Sequence, residues 1–241
     1  MQSEEFEHIK AWARANKMLI NMSKTKELVF HRPHPSRSHM PLAIDNIEQV
    51  KIARLLGVVL SGNLDFDEHV TYVLSICSQR LYLMKLLRSQ GMPESKLHVI
   101  FVALIVSRIC YALAAWGGFL NSQQINRINT FFRKARRFGL CSSTCLCDVS
   151  EYLTMADSKL FSRIQSPSHC LSHLLPPEKH HLALRPRGHK YPLPICPNNL
   201  TKRSFIPRCL FCFVWFVFCM ICVSTLVAST VLNICVCHLF Y

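Results

Sequence analysis

The pattern that most constrains this chain is the recurrence of apolar residues between positions 67 and 87. Val70, Val73, Leu74, Cys77, Leu81, Met84 and Leu87 follow one another at steps of three and four. An α-helix turns once in about 3.6 residues, so these side chains share one face over about six turns, whereas a strand would scatter them on both of its faces. A helix so striped is stable only where other elements cover the stripe, and the chain supplies them next. Gly91 and Pro93 break the first helix and start a second. Asn121 opens another, with Ile125, Ile128, Phe131 and Phe132 on one side. Residues 67–165 are therefore expected to be helical, and the fold class mainly α.

Between these helices lies "SKLHVIFVALIVSRICYALAAWGGFL", apolar nearly all round. Arg108 in its middle would cost about 2.5 to 3.5 kcal/mol at a bilayer centre, and His98 stands near its start. A buried core helix is the expectation here rather than a membrane span, with Gly117 and Gly118 as its C-terminal signal.

The flanks read differently. In residues 1–64, Phe6, Ile9, Trp12, Ala13 and Leu19 are spaced nearly as on a helix, with Ser3 as N-cap before Glu4 and Glu5. "ELVFHR" then predicts a strand, "PHPSRSH" a loop, and "PLAIDNIEQVKIARLLGVVL" two or three short strands. This is a small mixed α/β segment. Residues 166–208 are rich in Pro and His, with frequent breakers and little periodicity, so an irregular, surface-hugging segment that adds little core is expected. From Cys209 to Leu232 there is no charged residue. At about 1.5 Å of rise per residue this run can span a hydrocarbon core of about 30 Å, and Lys202, Arg203 and Arg208 would keep its N-terminal side in the cytoplasm. Residues 209–241 are thus a hydrophobic tail and a candidate transmembrane helix.

Charge narrows the partners. There are 28 Lys and Arg against 14 Asp and Glu, a net charge of +14, and every one of these charges precedes residue 209. Such a surface attracts polyanions or anionic lipid heads, and nucleic acid is the sharper expectation. The most useful cluster is "FFRKARRF", where Arg133, Lys134, Arg136 and Arg137 can meet phosphates while Phe131, Phe132 and Phe138 pack or stack. A solvated helix face fits the same residues.

Other chemistry is thinly supported. Asp65 and Asp67 offer oxygens suited to magnesium, but a helix N-cap formed by Asp65 with Glu68, or by Asp67 alone, explains them better. Cys141, Cys145, Cys147, Cys170, His169 and His173 are residue types that bind zinc, and His169 and His173 lie four apart, as on one helical face. "CSSTCLC" nevertheless lacks paired Cys-x2-Cys spacing. The N-terminus has no signal-peptide core, so the 13 cysteines are read as reduced thiols, and those of the tail as small hydrophobes. No Gly-rich phosphate loop, Ser elbow or oriented Cys-His pair is present. Nothing assembles a complete active site or a small-molecule substrate site.

Taken in order, several stretches resemble one family. "AWARANKMLINMSKTKELVF" followed by "IDNIEQVKIARLLGVVLSGNLDFDEHV" resembles the segment just after the catalytic motif in reverse transcriptases of LINE-type (non-LTR) retrotransposons. "RLYLMKLLRSQG", "RICYALAAWGGFL" and "NRINTFFRKARRFGL" resemble the thumb that follows. "ADSKLFSRIQSPSHCLSHLLPP", "LRPRGHKYPLP" and "KRSFIPRCLF" resemble the C-terminal ends of such elements, so the likeness covers about residues 1–212. It implies that residues 1–64 are the end of a palm, with apolar surface left exposed there, and that 67–165 form a helical thumb-like bundle holding an RNA–DNA duplex by its backbone. Lys24 would match a lysine near the outgoing pyrophosphate, and the strands around Leu55 to Leu60 the region that grips a primer end.

The intact family holds two magnesium ions on palm aspartates, including an adjacent pair. The aspartates here are Asp45, Asp65, Asp67, Asp148 and Asp157, with no adjacent pair. No cofactor and no polymerase activity are therefore expected of this chain, and residual nucleic-acid binding is the most it should retain. Because such elements commonly end soon after "FIPRCLF", the apolar tail also reads as translated 3′ flank. The alternative function is a tail-anchored membrane protein with a basic cytoplasmic helical domain. If the tail inserts, the protein is single-pass in a membrane; otherwise it is cytoplasmic or nuclear.

Overall fold

The computed structural model describes residues 2–31, 41–44, 47–141, 147–178 and 189–213. Helix accounts for 60% of them and strand for 8%, so the chain is mainly α with a small α/β portion. It divides into two compact units, Met1–Leu153 and Thr154–Tyr241.

The first unit begins with α1 (Gln2–Ala15). The helix starts one residue before Ser3, which therefore lies in the first turn and is not the expected cap. Phe6 and Ala13, two turns apart, are buried, while Ile9 and Trp12 of the expected apolar face are exposed. The helix closes at Lys17, whose φ of 55° is left-handed. There Lys17 N donates to Arg14 O and Met18 N to Ala13 O, the paired bonds of a Schellman close. A 3-10 turn, Met22–Lys24, leads into β1 (Lys26–Leu28). This strand pairs in parallel with β2 (Glu48–Val50), Leu28 opposite Val50. Next, β3 (Ile52–Leu55) and β4 (Val58–Ser61) form an antiparallel hairpin. Its two-residue turn, Leu56–Gly57, has φ of 47° and 86°, the mirror-image turn that suits strand twist.

α2 (Asp67–Ser89) buries Val70, Val73, Cys77, Leu81 and Met84 as the periodicity requires, with Leu74 and Leu87 half-buried. Its start corrects both expected caps. Phe66 occupies the cap position without a side-chain hydrogen bond. The Asp65 carboxylate, one residue earlier, accepts the Asp67 N–H at 3.3 Å. The helix ends on Gly91 at φ 90°, again with the Schellman pair, Gly91 N to Arg88 O and Met92 N to Leu87 O.

The apolar stretch that follows is not one regular helix. It runs as α3 (Glu94–Phe101), a π-helical turn Val102–Val106, α4 (Ser107–Cys110), a break at Ala112 with φ 52°, α5 (Leu113–Trp116) and a 3-10 turn Gly117–Phe119. Leu97, Phe101, Ile105, Ile109, Leu113 and Trp116 are buried. The steps of four from Leu97 to Leu113 overrun a 3.6-residue turn, and the wider π turn absorbs the excess so that one side stays inward. Val99, Leu104 and Tyr111 are exposed, so the stretch is buried on one side and not all round. Among the described residues Glu94–Phe119 is also long and apolar enough to cross a membrane.

α6 (Ser122–Arg137) starts as expected at Asn121, in a reciprocal capping box with Gln124. It packs on α2 and buries Ile128, Phe131, Phe132 and Ala135. α7 (Val149–Ile164) begins where Asn129 Oδ1 accepts the Val149 N–H at 3.0 Å, and Tyr152 lies against Phe132.

The second unit has its own core of Phe161, Ile164, Tyr191, Cys209 and Leu210, with Leu171, Leu175, Phe205, Ile206 and Phe213 packed against it. The Pro/His-rich segment thus contributes core, contrary to its composition. His189 explains part of this: its Nε2 meets Leu210 O at 2.7 Å, and its Nδ1 accepts the Tyr191 N–H at 3.2 Å. A short α8 (Asn199–Arg203) is capped by Asn198. Arg208 makes a two-pronged ion pair with buried Asp157, both bonds 2.8 Å. The candidate membrane run lies mostly outside the described residues. Of its first five residues, which are helical, Cys209 and Leu210 are in this core.

Candidate nucleic-acid interface

The basic end of α6 owes its geometry to local sequence. With 100° of rotation per residue, Arg133, Arg136 and Arg137 fall within one third of the helix circumference, and Lys134 stands beside them. All four are exposed, while Phe131, Phe132 and Ala135 between them face inward. Phe131 and Phe132 are therefore packing residues, the first of the two roles, packing or stacking, that the sequence offered for them. Phe138 is covered by a cation, with Lys85 Nζ 3.4 Å from its ring centroid.

Lys85 and Arg88 are the residues that sequence reasoning missed. Both come from the last turns of α2. Lys85 sits on Phe138, and the Arg88 guanidinium lies over Gly139, where a Cβ would approach it to 2.7 Å. Gly139 has φ 58° and closes α6 with bonds from Gly139 N to Arg136 O and Leu140 N to Ala135 O. Two further cations thus gather at the carbonyl end of α6, where the helix dipole favours positive charge. Among the described residues no carboxylate pairs with Lys85, Arg88, Arg133, Lys134 or Arg137. The only nearby signal in the sequence was basic residues spaced for one face of α2.

Toward its other end the same face of α6 is neutral. Arg127 binds Asp67 at 2.6 Å and Thr71 Oγ1 at 2.8 Å. A shallow groove of about 690 Å³ lies between α2 and α6, lined by Leu74, Ser78, Gln123, Asn126, Thr130 and Lys134 among others. Its polar residues carry amides, hydroxyls, the Arg127 guanidinium and the Lys134 ammonium.

The remaining candidates separate. Asp65 Oδ1 accepts Gln124 Nε2 at 2.7 Å as well as the Asp67 N–H, and Asp67 is paired with Arg127. Their oxygens serve the joint between α2 and α6. Cys141 is buried and Cys147 half-buried in the first unit, His169, Cys170 and His173 belong to the second, and Cys145 lies outside the described residues. His169 and His173 do not share a helical face: α7 has ended, residues 172–174 form a 3-10 turn, and His169 Nδ1 accepts the Leu171 N–H. Among the described residues no group of three or more metal-ligating side chains is brought together. The described cysteines form no disulfide. Burial pushes the thiols of Cys77 and Cys141 up to about 11 and that of Cys110 to about 12, so they stay protonated at neutral pH.

Lys24 ends the 3-10 turn, where Asn21 Oδ1 accepts its N–H at 3.2 Å and the Ser23 hydroxyl at 2.7 Å. Its side chain is exposed.

No family model, no curated protein and no solved structure matches this chain.

Proposed function

We propose that the chain is a C-terminal portion of a LINE-type retrotransposon reverse transcriptase, and that its retained property is salt-sensitive binding of an RNA–DNA duplex through a thumb-like helical region. The observation that carries this reading is the exposed basic end of α6, Arg133, Lys134, Arg136 and Arg137, joined by Lys85 and Arg88 from α2. Six cations at one helix end form a surface fitted to a phosphate backbone and not to a base edge, since the aromatic residues among them are packed or covered. The exposed apolar residues of the α/β segment, with Trp12 at 60% and Leu19 at 100%, also fit a piece of a larger palm. Lys24 would stand on the pyrophosphate side by resemblance alone.

The test is duplex binding measured against salt. Replacing Arg133, Lys134, Arg136 and Arg137 by Gln should weaken hybrid binding and reduce the slope of log K against log salt by about 0.9 for each phosphate no longer neutralised. Adding K85Q and R88Q should reduce it further. An unchanged slope and affinity would sink the reading. Purified chain should show no magnesium-dependent primer extension, and extension abolished by mutating its own residues would overturn that part.

A second reading is favoured by a different observation, the uncharged run from Cys209 to Leu232 preceded by Lys202, Arg203 and Arg208. It makes the protein a tail-anchored membrane protein with its basic helical region in the cytoplasm. Both readings can hold together.

A further inference from the structure

Tyr72, on α2, is the meeting point of two arginines from elsewhere in the first unit. Arg54 on β3 donates through Nη2 to the Tyr72 hydroxyl oxygen, and Arg108 on α4 donates through its own Nη2 to the same atom at 3.3 Å. The two guanidinium carbons stand 4.5 and 5.7 Å from the centroid of the Tyr72 ring. Among the described residues neither arginine has an ion pair. The nearest acid along α2, Glu68, is one turn before Tyr72 and pairs with neither. Two full positive charges on one neutral oxygen repel each other, and a ring face attracts a cation without neutralising it.

The arrangement is held from several sides. Arg54 lies opposite Val59 in the β3–β4 hairpin. The Val59 N–H is fixed by His69 Nδ1 at 3.2 Å, one turn from Tyr72 on the same helix. At the hairpin tip, the Tyr111 hydroxyl donates to Leu56 O at 3.0 Å. Arg108 lies two residues past the π turn Val102–Val106, a local rewinding that recurs at functional positions. The two guanidiniums are thus positioned before any ligand arrives.

We infer that Arg54, Arg108 and Tyr72 form a binding site for a phosphate dianion. Each guanidinium uses one N–H on the phenol and keeps others in a fork suited to phosphate oxygens. Because the phenol oxygen already accepts two bonds, its own O–H is left to donate. A phosphate that is free or at a chain end carries a charge of about −1.5 to −2 at neutral pH, and its dianion matches the two arginines, whereas a phosphodiester carries only one charge. Its oxygens can take two forks and a hydroxyl at once. The site is distinct from the basic end of α6 and does not rest on that interface being a duplex-binding surface.

The test titrates inorganic phosphate into the full-length chain at constant ionic strength made up with chloride. Saturable binding is expected, weakened about tenfold or more in R54Q and again in R108Q, and unchanged when the four α6 cations are replaced by Gln. Tyr72→Phe, which keeps both cations and the ring, should weaken it by a smaller factor, and Arg54→Lys should fall between Arg54 and Gln. Far-UV circular dichroism on each variant separates loss of the site from loss of fold. Two oligonucleotides of one sequence, with and without a 5′-phosphate, identify the source. Tighter binding of the phosphorylated one, lost in R54Q, supports a chain end as the ligand; equal binding of both, with inorganic phosphate still bound, supports free phosphate. Absence of saturable phosphate binding, or equal affinity in wild type, R54Q and R108Q, overturns the proposal.

Discussion

His69 is a buried imidazole set 4.7 Å edge-on from Trp116 and beside Phe66. Because its Nδ1 accepts the Val59 N–H, the proton of the neutral ring belongs on Nε2. Burial, and then the charges of Arg108 and Arg54, push its pKa down from 6.5 to about 4. The folded state therefore binds this proton less readily than the unfolded chain. Stability should fall as pH drops from about 6.5 toward 4, by on the order of 3 kcal/mol in all. His69→Asn keeps an acceptor but cannot take the proton, so urea midpoints at pH 7 and pH 4.5 should differ less in the variant than in wild type. An equal difference in both would refute the assignment. At Asp157 the expectation is simpler. In D157A, Arg208 would keep its bond to Arg203 O but lose both carboxylate bonds at a largely buried position, and the second unit should lose about 3 to 5 kcal/mol, read as faster amide exchange around Phe161 and Tyr191.

At the scale of elements, helix ends decide most of the local stability. The closes at Lys17, Gly91 and Gly139 share one bond pattern, but only Lys17 holds a left-handed φ with a side chain. Lys17→Gly should relieve that strain and stabilise α1 by up to about 1 kcal/mol, visible as slower exchange of the amides in its last turn. Asn121→Ala should cost about 1 kcal/mol in thermal unfolding through loss of the α6 capping box. The ends at Gly91 and Asn121 were legible in the sequence because a cap is a matter of a few neighbouring residues, and Gly91, Pro93 and Asn121 act where the pattern put them; the closes at Lys17 and Gly139 were not read from it. The α2 start departs from its expected cap because Asp65 also serves Gln124, a residue from another helix. The apolar stretch from Ser95 departs in part because composition does not show the π turn or the break at Ala112.

For the molecule as a whole, the run from Cys209 carries the question of membrane attachment. Cys209 and Leu210 are core residues of the second unit, so the cut that tests the anchor belongs after Phe213. A chain ending there should lose carbonate-resistant membrane association while keeping the Arg208–Asp157 pair and its core. A chain ending at Arg208 should lose that core as well, with exposure of Phe161 and Tyr191 to solvent reported by their fluorescence or exchange. Equal membrane retention with and without residues 214–241 would remove the anchor reading.

By itself the sequence determined the helical class, the stripe on α2, the cap at Asn121, the basic patch of α6 and the short strands before residue 64. Each follows from period, charge or turn chemistry within a window of some twenty residues. Only the tertiary structure decided which residues join across the chain: Lys85 and Arg88 with the end of α6, Arg54 and Arg108 on Tyr72, and Tyr191 in a core that a Pro/His-rich segment was not expected to enter. The physical reason is that such contacts depend on packing between distant segments, and a buried partner such as Phe161 or a shared oxygen such as that of Tyr72 leaves no periodic trace in the chain.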